Sequence, residues 1–447
     1  MEFLQFKDLL FEKAKLAGFN ECEVYFSDGE NISISVYEGE VEKYNISKSF
    51  GLSFRGKINN KMGYSYTEIL DESAIDMLIN GAKNSATLIE NEDETFIYDG
   101  DQIYNKVKTY SEKLENIDLS KMIDLALDLE KETKNYSDKV VNINGCKISY
   151  SSSNYGIYNS KGLELTNKDN LLTSYVVPVV EDKSGKNDGV GYIIASAIDD
   201  VNPKQIAKQG VEEALAKLGG KSIASGTYNT IIYSEAMVQL LETFAVNFSA
   251  DAAQKGLSLF KGKENQMVAS SLVTIVDDPL IDGGLASAPF DDEGVATFTK
   301  ELIYKGKLNT LLHNLKTAQK QGVKSTGNGF KSSYASSVGV SESNLYLKEG
   351  DKSFEDLMNE IREGIIITDL AGLHSGANTV SGDFSLAAKG FYVKDGQKIF
   401  PVEQITLAGN YFELLKNITS VGNDLKFPMS NVGSPSVIVN GLSIAGK

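Results

Sequence analysis

The sequence predicts an α+β protein, in which a mixed N-terminal region with an antiparallel sheet and helices precedes a β-rich C-terminal domain of antiparallel strands. Strict alternation of apolar and polar residues from Ile32 to Tyr37 is typical of a strand with one wet face. Residues 3–17 and 203–218 instead repeat apolar residues at helical spacing. Near the C-terminus, two apolar runs flank the tight-turn pair Asp395 and Gly396, which predicts a hairpin.

The first half of the chain mixes helices with strands. The predicted helices are 3–17, 71–87, 118–133 with Asp118 as its N-cap, and 203–218 after Asn202-Pro203. The predicted strands are 22–26, 32–36, 44–46, 50–54, 62–66, 140–150, 156–158, 163–166, 171–180 and 192–197. Residues 159–162 have hairpin-turn chemistry, and 185–191 are predicted as a loop.

The second half is richer in strands. Helices are predicted at 234–254, with Ser234 as the N-cap, and at 354–363, after Ser353. Strands are predicted at 228–233, 272–276, 298–304, 341–347, 365–368, 391–393, 399–402, 436–439 and 442–444.

The length of 447 residues predicts two or three domains. We expect an N-terminal α+β domain at 1–100 and a β-rich C-terminal domain at 223–447. A middle α+β segment at 101–222 is either separate from the first domain or continuous with it. The polar stretch 91–101 is a plausible linker, and 221–227 is the best candidate boundary.

Composition narrows the classes of function. The formal net charge of −17 argues against binding to a nucleic-acid backbone. No stretch reaches the roughly 18 apolar residues of a membrane span, and no signal peptide is recognisable. The only two cysteines, Cys22 and Cys146, lie far apart and are expected to be reduced and buried. We therefore expect a cytoplasmic protein with neither a nucleic-acid nor a membrane partner.

Few residues could carry catalysis. The only histidines are His313, in an apolar run that indicates packing, and His374, in the small-residue stretch 372–410. Two unlinked histidines and two unlinked cysteines make a weak zinc set. The acidic run 291–294 suits either a solvated turn or a hard cation, with the turn favoured. The glycine-rich run 326–329 lacks the Lys-Ser/Thr pair of a phosphate loop, so a backbone turn is favoured.

Several motifs together resemble the TldD/PmbA family across nearly the whole chain, and the later ones most resemble its PmbA (TldE) branch. These motifs are Asp291-Asp292-Glu293-Gly294, Thr326-Gly327-Asn328-Gly329, Ser381-Gly382-Asp383-Phe384-Ser385, the run 401–410 (PVEQITLAGN), Val421-Gly422-Asn423-Asp424-Leu425 and Gly433-Ser434-Pro435-Ser436. The resemblance implies a cytosolic two-subunit zinc protease acting on small or unfolded peptides. In that family the TldD-type subunit carries zinc on a His-Glu-x-x-x-His helix and on a C-terminal cysteine.

The matching helix has a degenerate motif in this chain. Glu242 matches the glutamate, while Leu241 and Val246 stand where the two histidines would be. Leucine and valine cannot coordinate zinc, and no cysteine follows Cys146. The resemblance therefore implies a subunit with no catalytic residue and no metal of its own, with zinc expected in the partner subunit.

The leading hypothesis is a non-catalytic PmbA/TldE-type partner of a TldD-type metalloprotease, which completes the proteolytic chamber. A second hypothesis is a metallopeptidase with ligands rearranged around Glu242, His374 and Asp383. A third is a stand-alone homodimeric peptide-binding or scaffold protein. The partners expected under the leading hypothesis are a TldD-type subunit and a peptide substrate, with a homodimer as an alternative for the isolated chain. The stretch 372–410 is interpreted as a glycine-rich seam feeding a hairpin. The candidate chamber or interface residues are Gly327, Asn328, His374, Gly382 and Asp383.

Overall fold

The structure is a computed structural model that describes residues 1–88 and 96–447, and it confirms the α+β class. The linker predicted at 91–101 therefore lies partly outside the described residues. One large antiparallel sheet has seven strands, β1 (Glu21–Tyr37), β2 (Glu40–Ile58), β3 (Lys61–Thr67), β4 (Val140–Asn159), β5 (Glu164–Asp182), β6 (Gly185–Asp188) and β7 (Gly191–Ala195). Their order is β3-β2-β1-β4-β5-β6, and β7 also pairs with β5. Because β1 pairs with both β2 and β4, segments 1–100 and 101–222 contribute to one sheet.

Four helices pack against this sheet and bury most of its apolar residues in two main cores. They are α1 (Phe3–Leu16), α2 (Glu72–Leu88), α3 (Leu119–Tyr136) and α4 (Pro203–Ala216). One core contains Phe6 of α1 and Phe54 of β2, and the other contains Ile34 of β1 under α3. The predicted caps are confirmed, because the Asp118 and Asn202 side chains each accept two backbone N–H groups from the first turn that follows.

Strand lengths differ from the sequence prediction. The pairs of short strands predicted within 22–36, 140–158 and 163–180 are continuous. β1 and β4 are paired on both edges over most of their length, and β5 pairs with β4 along nearly all of its own. The loop predicted at 185–191 contains β6, whose residues pair with the end of β5. Polar residues inside these strands misled the prediction, because strand pairing continues through them.

The remaining strands are shorter on average. They are β8 (Gly226–Ile232), β9 (Ile275–Asp277), β10 (Lys300–Tyr304), β11 (Lys307–Leu308), β12 (Leu345–Leu347), β13 (Gly364–Ala371), β14 (Asp383–Lys394), β15 (Gln397–Asn410), β16 (Ile418–Val421), β17 (Val432–Gly433) and β18 (Val437–Ala445). The helices are α5 (Ser234–Phe244), α6 (Ala250–Gln254), α7 (Leu315–Gln321), α8 (Phe354–Ile361), α9 (Leu373–Gly376) and α10 (Tyr411–Lys416).

Five of these strands close into a ring. The order is β15-β14-β13-β8-β18, and β15 pairs with β18 as well as with β14. Only β8 and β13 run parallel within the ring. A second sheet has the order β11-β10-β9-β12-β17, and one continuous apolar core includes residues of the ring, of α5 and of this second sheet. The predicted hairpin is confirmed, with Lys394 opposite Gln397 and with positive φ at Asp395 and Gly396.

The helix predicted at 234–254 is wrong in its extent and in its cap. Tyr233 is the N-cap residue, and Ser234 lies inside the first turn, where its hydroxyl donates to the Ser434 carbonyl at 2.7 Å. The helix ends at Phe244, a 3₁₀ turn follows, and α6 begins after its own cap, Ser249. The break is stabilised by the Ser249 hydroxyl, which accepts from the α6 backbone in place of a continuous helical bond.

Among the described residues, none of the helices has both the length and the apolar composition that a membrane crossing requires.

Candidate functional site

The two motifs at 291–294 and 326–329 interlock in the folded chain. Oδ1 of Asp291 accepts the backbone N–H groups of Glu293 and Val295, each at 3.0 Å, and its Oδ2 accepts that of Gly329 at 2.8 Å. The Asp292 N–H donates back to the Gly329 carbonyl at 2.9 Å. A Cβ at Gly329 would lie 2.7 Å from Oε2 of Glu293, so a side chain there would force the buried Glu293 carboxylate to shift.

A cluster of buried charges joins these loops to the large sheet; we call it the charge cluster. It consists of Glu23, Arg55, Asp291, Asp292, Glu293 and Lys331. Arg55 Nε of β2 donates to Glu23 of β1, and its Nη1 lies 3.8 Å from Oε1 of Glu293. The Lys331 ammonium donates to Ser53 Oγ at 2.8 Å. Four carboxylates and two cations thus meet where the sheet contacts the C-terminal half.

Burial sets the protonation of this cluster. It raises the pKa of Asp292 to about 6, and together with the charge of Glu293 it raises the pKa of Asp291. Burial also raises the pKa of Glu293, against the opposing effect of Arg55. The pKa of Lys331 falls to about 8, because burial and the neighbouring Arg55 charge disfavour its cationic form. The cluster therefore contains groups that change charge on both sides of neutrality.

Aromatic rings surround the Lys331 ammonium. It lies 4.8 Å from the ring centroid of Tyr25 and 5.2 Å from that of Tyr64. The Tyr64 hydroxyl donates to the Ser336 carbonyl at 3.0 Å, which fixes the segment after Lys331 against β3. Lys331 is therefore held by rings and a hydroxyl as well as by its acidic neighbours.

A cavity of about 240 Å³ adjoins the charge cluster. Its walls include Arg55, Met62 and Tyr64 from β2 and β3, and Glu293 and Lys331 from the C-terminal half. Small-molecule pockets are usually larger, at roughly 300–1,000 Å³. Any ligand of this cavity would therefore be small.

Comparisons with known proteins assign the chain. Family models described as PmbA/TldA metallopeptidase domain 1, central domain and C-terminal domain match residues 22–86, 112–218 and 225–446. The chain belongs to the PmbA/TldD family. This membership confirms the resemblance inferred from the sequence motifs.

Individual relatives cover almost the whole chain. A metalloprotease PmbA homolog of Haemophilus influenzae is 26% identical over 452 residues, covering 100% of this chain and 96% of the relative. The crystal structure of a putative modulator of a DNA gyrase from Thermotoga maritima has a TM-score of 0.92 and 33% identity, covering 99% of this chain and 100% of that one. TldE from Thermococcus kodakarensis has a TM-score of 0.89 at 20% identity, with 99% and 100% covered, and shows the shared fold.

The two residues that align with the histidines of the family's zinc motif, Leu241 and Val246, differ in burial. Leu241 is fully buried in the main apolar core, whereas Val246 is 45% exposed and lies in the 3₁₀ turn beyond the end of α5. Glu242 is exposed on α5. Leu241 and Val246 therefore do not face a common space in this PmbA/TldD family member.

Within residues 1–88 and 96–447, no group of three or more His, Cys, Asp or Glu side chains is placed to hold a metal ion such as zinc. His313 is buried, and burial lowers its pKa, whereas His374 is exposed on α9. Cys22 and Cys146 are buried in the large sheet as free thiols, and burial raises the pKa of each to about 12.

Gly327 and Asn328 lie within the interlocked loops. Gly327 has φ of +67°, a conformation that suits glycine. The Asn328 amide is fully buried; it donates to Asp277 Oδ2 and accepts from the Lys300 ammonium, both at 2.9 Å. Because Lys300 also pairs with Asp277 at 2.9 Å, Asn328 completes a buried polar network around that ion pair.

His374, Gly382 and Asp383 occupy the other location, the seam between β13 and β14. Hydrogen bonds from the side chains of Asn410 and Ser381 lower the pKa of Asp383 and hold the turn. Gly382 has φ of +85°, and a Cβ there would lie 2.4 Å from Phe412. A shallow surface depression of about 560 Å³ runs along this seam and includes Asp383.

The seam also meets the end of the α5 region, because the Asn247 amide donates to the Thr379 carbonyl at 3.0 Å. The five predicted residues therefore fall into two groups, Gly327 and Asn328 in the interlocked loops and His374, Gly382 and Asp383 at the seam.

The sequence analysis did not predict Glu23, Arg55 or Lys331 as site residues. The one available signal was Glu23, a charged residue inside the apolar run 22–26, where an unpaired charge would be costly.

Proposed function

We propose that this chain is a non-catalytic PmbA/TldE-type subunit that pairs with a TldD-type zinc metallopeptidase acting on small or unfolded peptides. The observation that supports the proposal is that α5 and the turn after it carry no metal ligand at the two histidine positions of the family motif. Leu241 and Val246 offer no metal ligand, and the burial of Leu241 directs that position into the core. Without a metal-bound water, Glu242 has no nucleophile to deprotonate.

The remaining donors give no support to a rearranged zinc site. Glu242, His374 and Asp383 belong to no group of three or more potential ligands among the described residues. Asp383 is also committed to the hydrogen bonds that form its own turn. In this proposal the zinc belongs to the partner subunit, and this chain contributes a wall of the chamber.

The test measures hydrolysis of a fluorogenic unfolded peptide by this chain alone, by a TldD-type chain alone and by their mixture, each with and without a chelator. We expect zinc-dependent cleavage to require the TldD-type chain and to increase when this chain is added. Substitution Glu242→Gln in this chain should leave the activity of the mixture unchanged. Chelator-sensitive cleavage by this chain alone would contradict the proposal.

A further inference from the structure

A cavity of about 440 Å³ lies between the large sheet and the C-terminal half of the chain. Its floor includes Ser151 of β4 and Asp169 and Leu171 of β5. Because Leu172 belongs to the core that α3 covers, the alternation of side chains places Asp169 and Leu171 on the opposite face of the sheet. The volume falls within the roughly 300–1,000 Å³ of small-molecule sites, unlike that of the cavity at the charge cluster.

Two loop segments, 108–111 and 282–287, form the other walls, and hydrogen bonds hold them in place. The Lys108 N–H donates to Oδ1 of Asp282 at 2.8 Å, and the Gly283 N–H donates to the Lys108 carbonyl at 2.8 Å. The Asn170 side chain accepts from the Ser111 N–H at 2.8 Å and donates to the Ser111 carbonyl at 2.9 Å. The cavity is therefore preformed.

The Asp169 carboxylate in this cavity has no counter-ion. The Ser153 hydroxyl donates to its Oδ2 at 2.8 Å. Within residues 1–88 and 96–447, no second group donates to the carboxylate and no lysine or arginine forms an ion pair with it. Burial raises the pKa of Asp169, against the effect of the Ser153 hydrogen bond. A cation bound beside it would offset the cost of burying this charge.

The charges around the cavity favour a cation as well. Its lining contains two carboxylates, Asp169 and Asp282, and one ammonium, Lys108, which sum to a formal charge of −1. The ammonium of Lys168, the residue before Asp169, lies 3.7 Å from the ring centroid of Tyr110 and makes a cation–π contact there.

The rest of the lining suits a short alkyl chain that carries a polar head. Among the described residues, the Ser151 and Ser196 hydroxyls make no hydrogen bond, so both can accept one from a ligand. Leu171 and Ile194 supply apolar surface. We propose that this cavity binds the primary ammonium group of a small ligand, with Asp169 as its counter-ion and the Ser151 and Ser196 hydroxyls as further acceptors.

This inference does not depend on the proposed function, and its test uses the isolated full-length chain. Isothermal titration calorimetry should detect binding of diaminopentane, whereas pentanediol, of the same length but uncharged, should bind at least about tenfold more weakly. A dialanine amide and its N-acetyl form separate two sources of the ammonium group. A peptide N-terminus is the source if the unacetylated form alone binds as well as the diamine, and a free amine is the source if neither form does.

Substitutions locate the site. Asp169→Asn keeps the shape of the side chain and removes its charge, so diaminopentane should bind about tenfold more weakly or worse. Ser151→Ala should weaken binding about fivefold. Glu164→Gln is the matched control, because Glu164 is an exposed carboxylate of the same strand outside the cavity lining, and it should bind the diamine like the wild type.

The comparison of amine with alcohol on the wild-type chain holds even where a variant fails to fold. Equal affinity for diaminopentane and pentanediol would overturn the proposal, because the charge of the ligand would not matter. Equal affinity of folded D169N and wild type would place the amine elsewhere. The absence of binding by every amine at millimolar concentration would also overturn it.

Discussion

The Lys331 ammonium donates a 2.8 Å hydrogen bond to Ser53 Oγ across a sequence separation of 278 residues. Ser53 lies in the paired part of β2, and Lys331 follows the motif at 326–329. This bond joins the large sheet to the C-terminal half at the charge cluster. Since the cluster contains groups with displaced pKa values, the junction should make stability depend on pH.

Substitution Lys331→Met should flatten the alkaline side of the stability profile. The pKa of Lys331 is about 8 in the folded chain, against about 10.4 for an unperturbed lysine. Between these values the unfolded chain binds more protons, so this group makes stability rise with pH. Urea unfolding at several pH values between 8 and 10 should show a smaller rise in the variant. The exposed Lys106→Met is the control and should retain the wild-type slope.

Substitution Asp292→Asn should change how stability depends on pH at acidic pH. The folded pKa of about 6 exceeds the unperturbed value of about 3.9, so the folded chain holds the proton between pH 4 and 6. Stability from this group is present at low pH and is lost as the pH rises through 6, by about 2–3 kcal/mol. Thermal unfolding across this range should show a smaller loss in D292N. The exposed turn variant Asp395→Asn should follow the wild type, and an unchanged D292N profile would contradict the assigned pKa.

Local rules predicted much of the fold, but the contacts of the site required tertiary information. Caps such as Asp118 and the hairpin at Asp395-Gly396 depend on neighbours in sequence, and both were predicted. The break after Phe244 was missed because side-chain bonds, including the long-range bond of Asn247 to Thr379, compete with the helix there. The charge cluster was missed because Arg55 and Lys331 resemble ordinary surface residues until the sheet and the loops meet.

Asn328 should contribute to stability through the buried ion pair beside it. Asn328→Ala removes hydrogen bonds to Lys300 and Asp277 and leaves both charges less satisfied, so the free energy of unfolding should fall by about 3 kcal/mol. Asn309→Ala is the matched control, since that exposed side chain makes one bond, to the Glu301 carbonyl, and its loss should cost about 0.5 kcal/mol or less. Urea unfolding measures both. Wild-type stability in N328A would show that the network relaxes without it.

Restoring histidines at the degenerate motif should not create a zinc site. Leu241→His places a polar ring in the fully buried core and should lower the free energy of unfolding by about 3 kcal/mol. Val246→His lies on an exposed turn and should change it by about 0.5 kcal/mol or less. Elemental analysis of the double variant should find no stoichiometric zinc. A stable double variant that binds one zinc ion per chain would contradict the placement of these two positions.

Removing the hydroxyl group of Tyr411 should stabilise the protein. Its ring stacks on Phe244 with centroids 4.4 Å apart at 8°, and among the described residues its fully buried hydroxyl has no hydrogen-bond partner. Tyr411→Phe keeps the stack and removes an unpaired polar group, so the free energy of unfolding should rise by about 1 kcal/mol. Tyr104→Phe is the opposite case, because that hydroxyl donates to the Gly294 carbonyl at 2.8 Å and its loss should cost about 1 kcal/mol. Thermal and urea unfolding of both variants measure the contrast, and a destabilised Y411F would reveal a partner for the hydroxyl, such as a buried water.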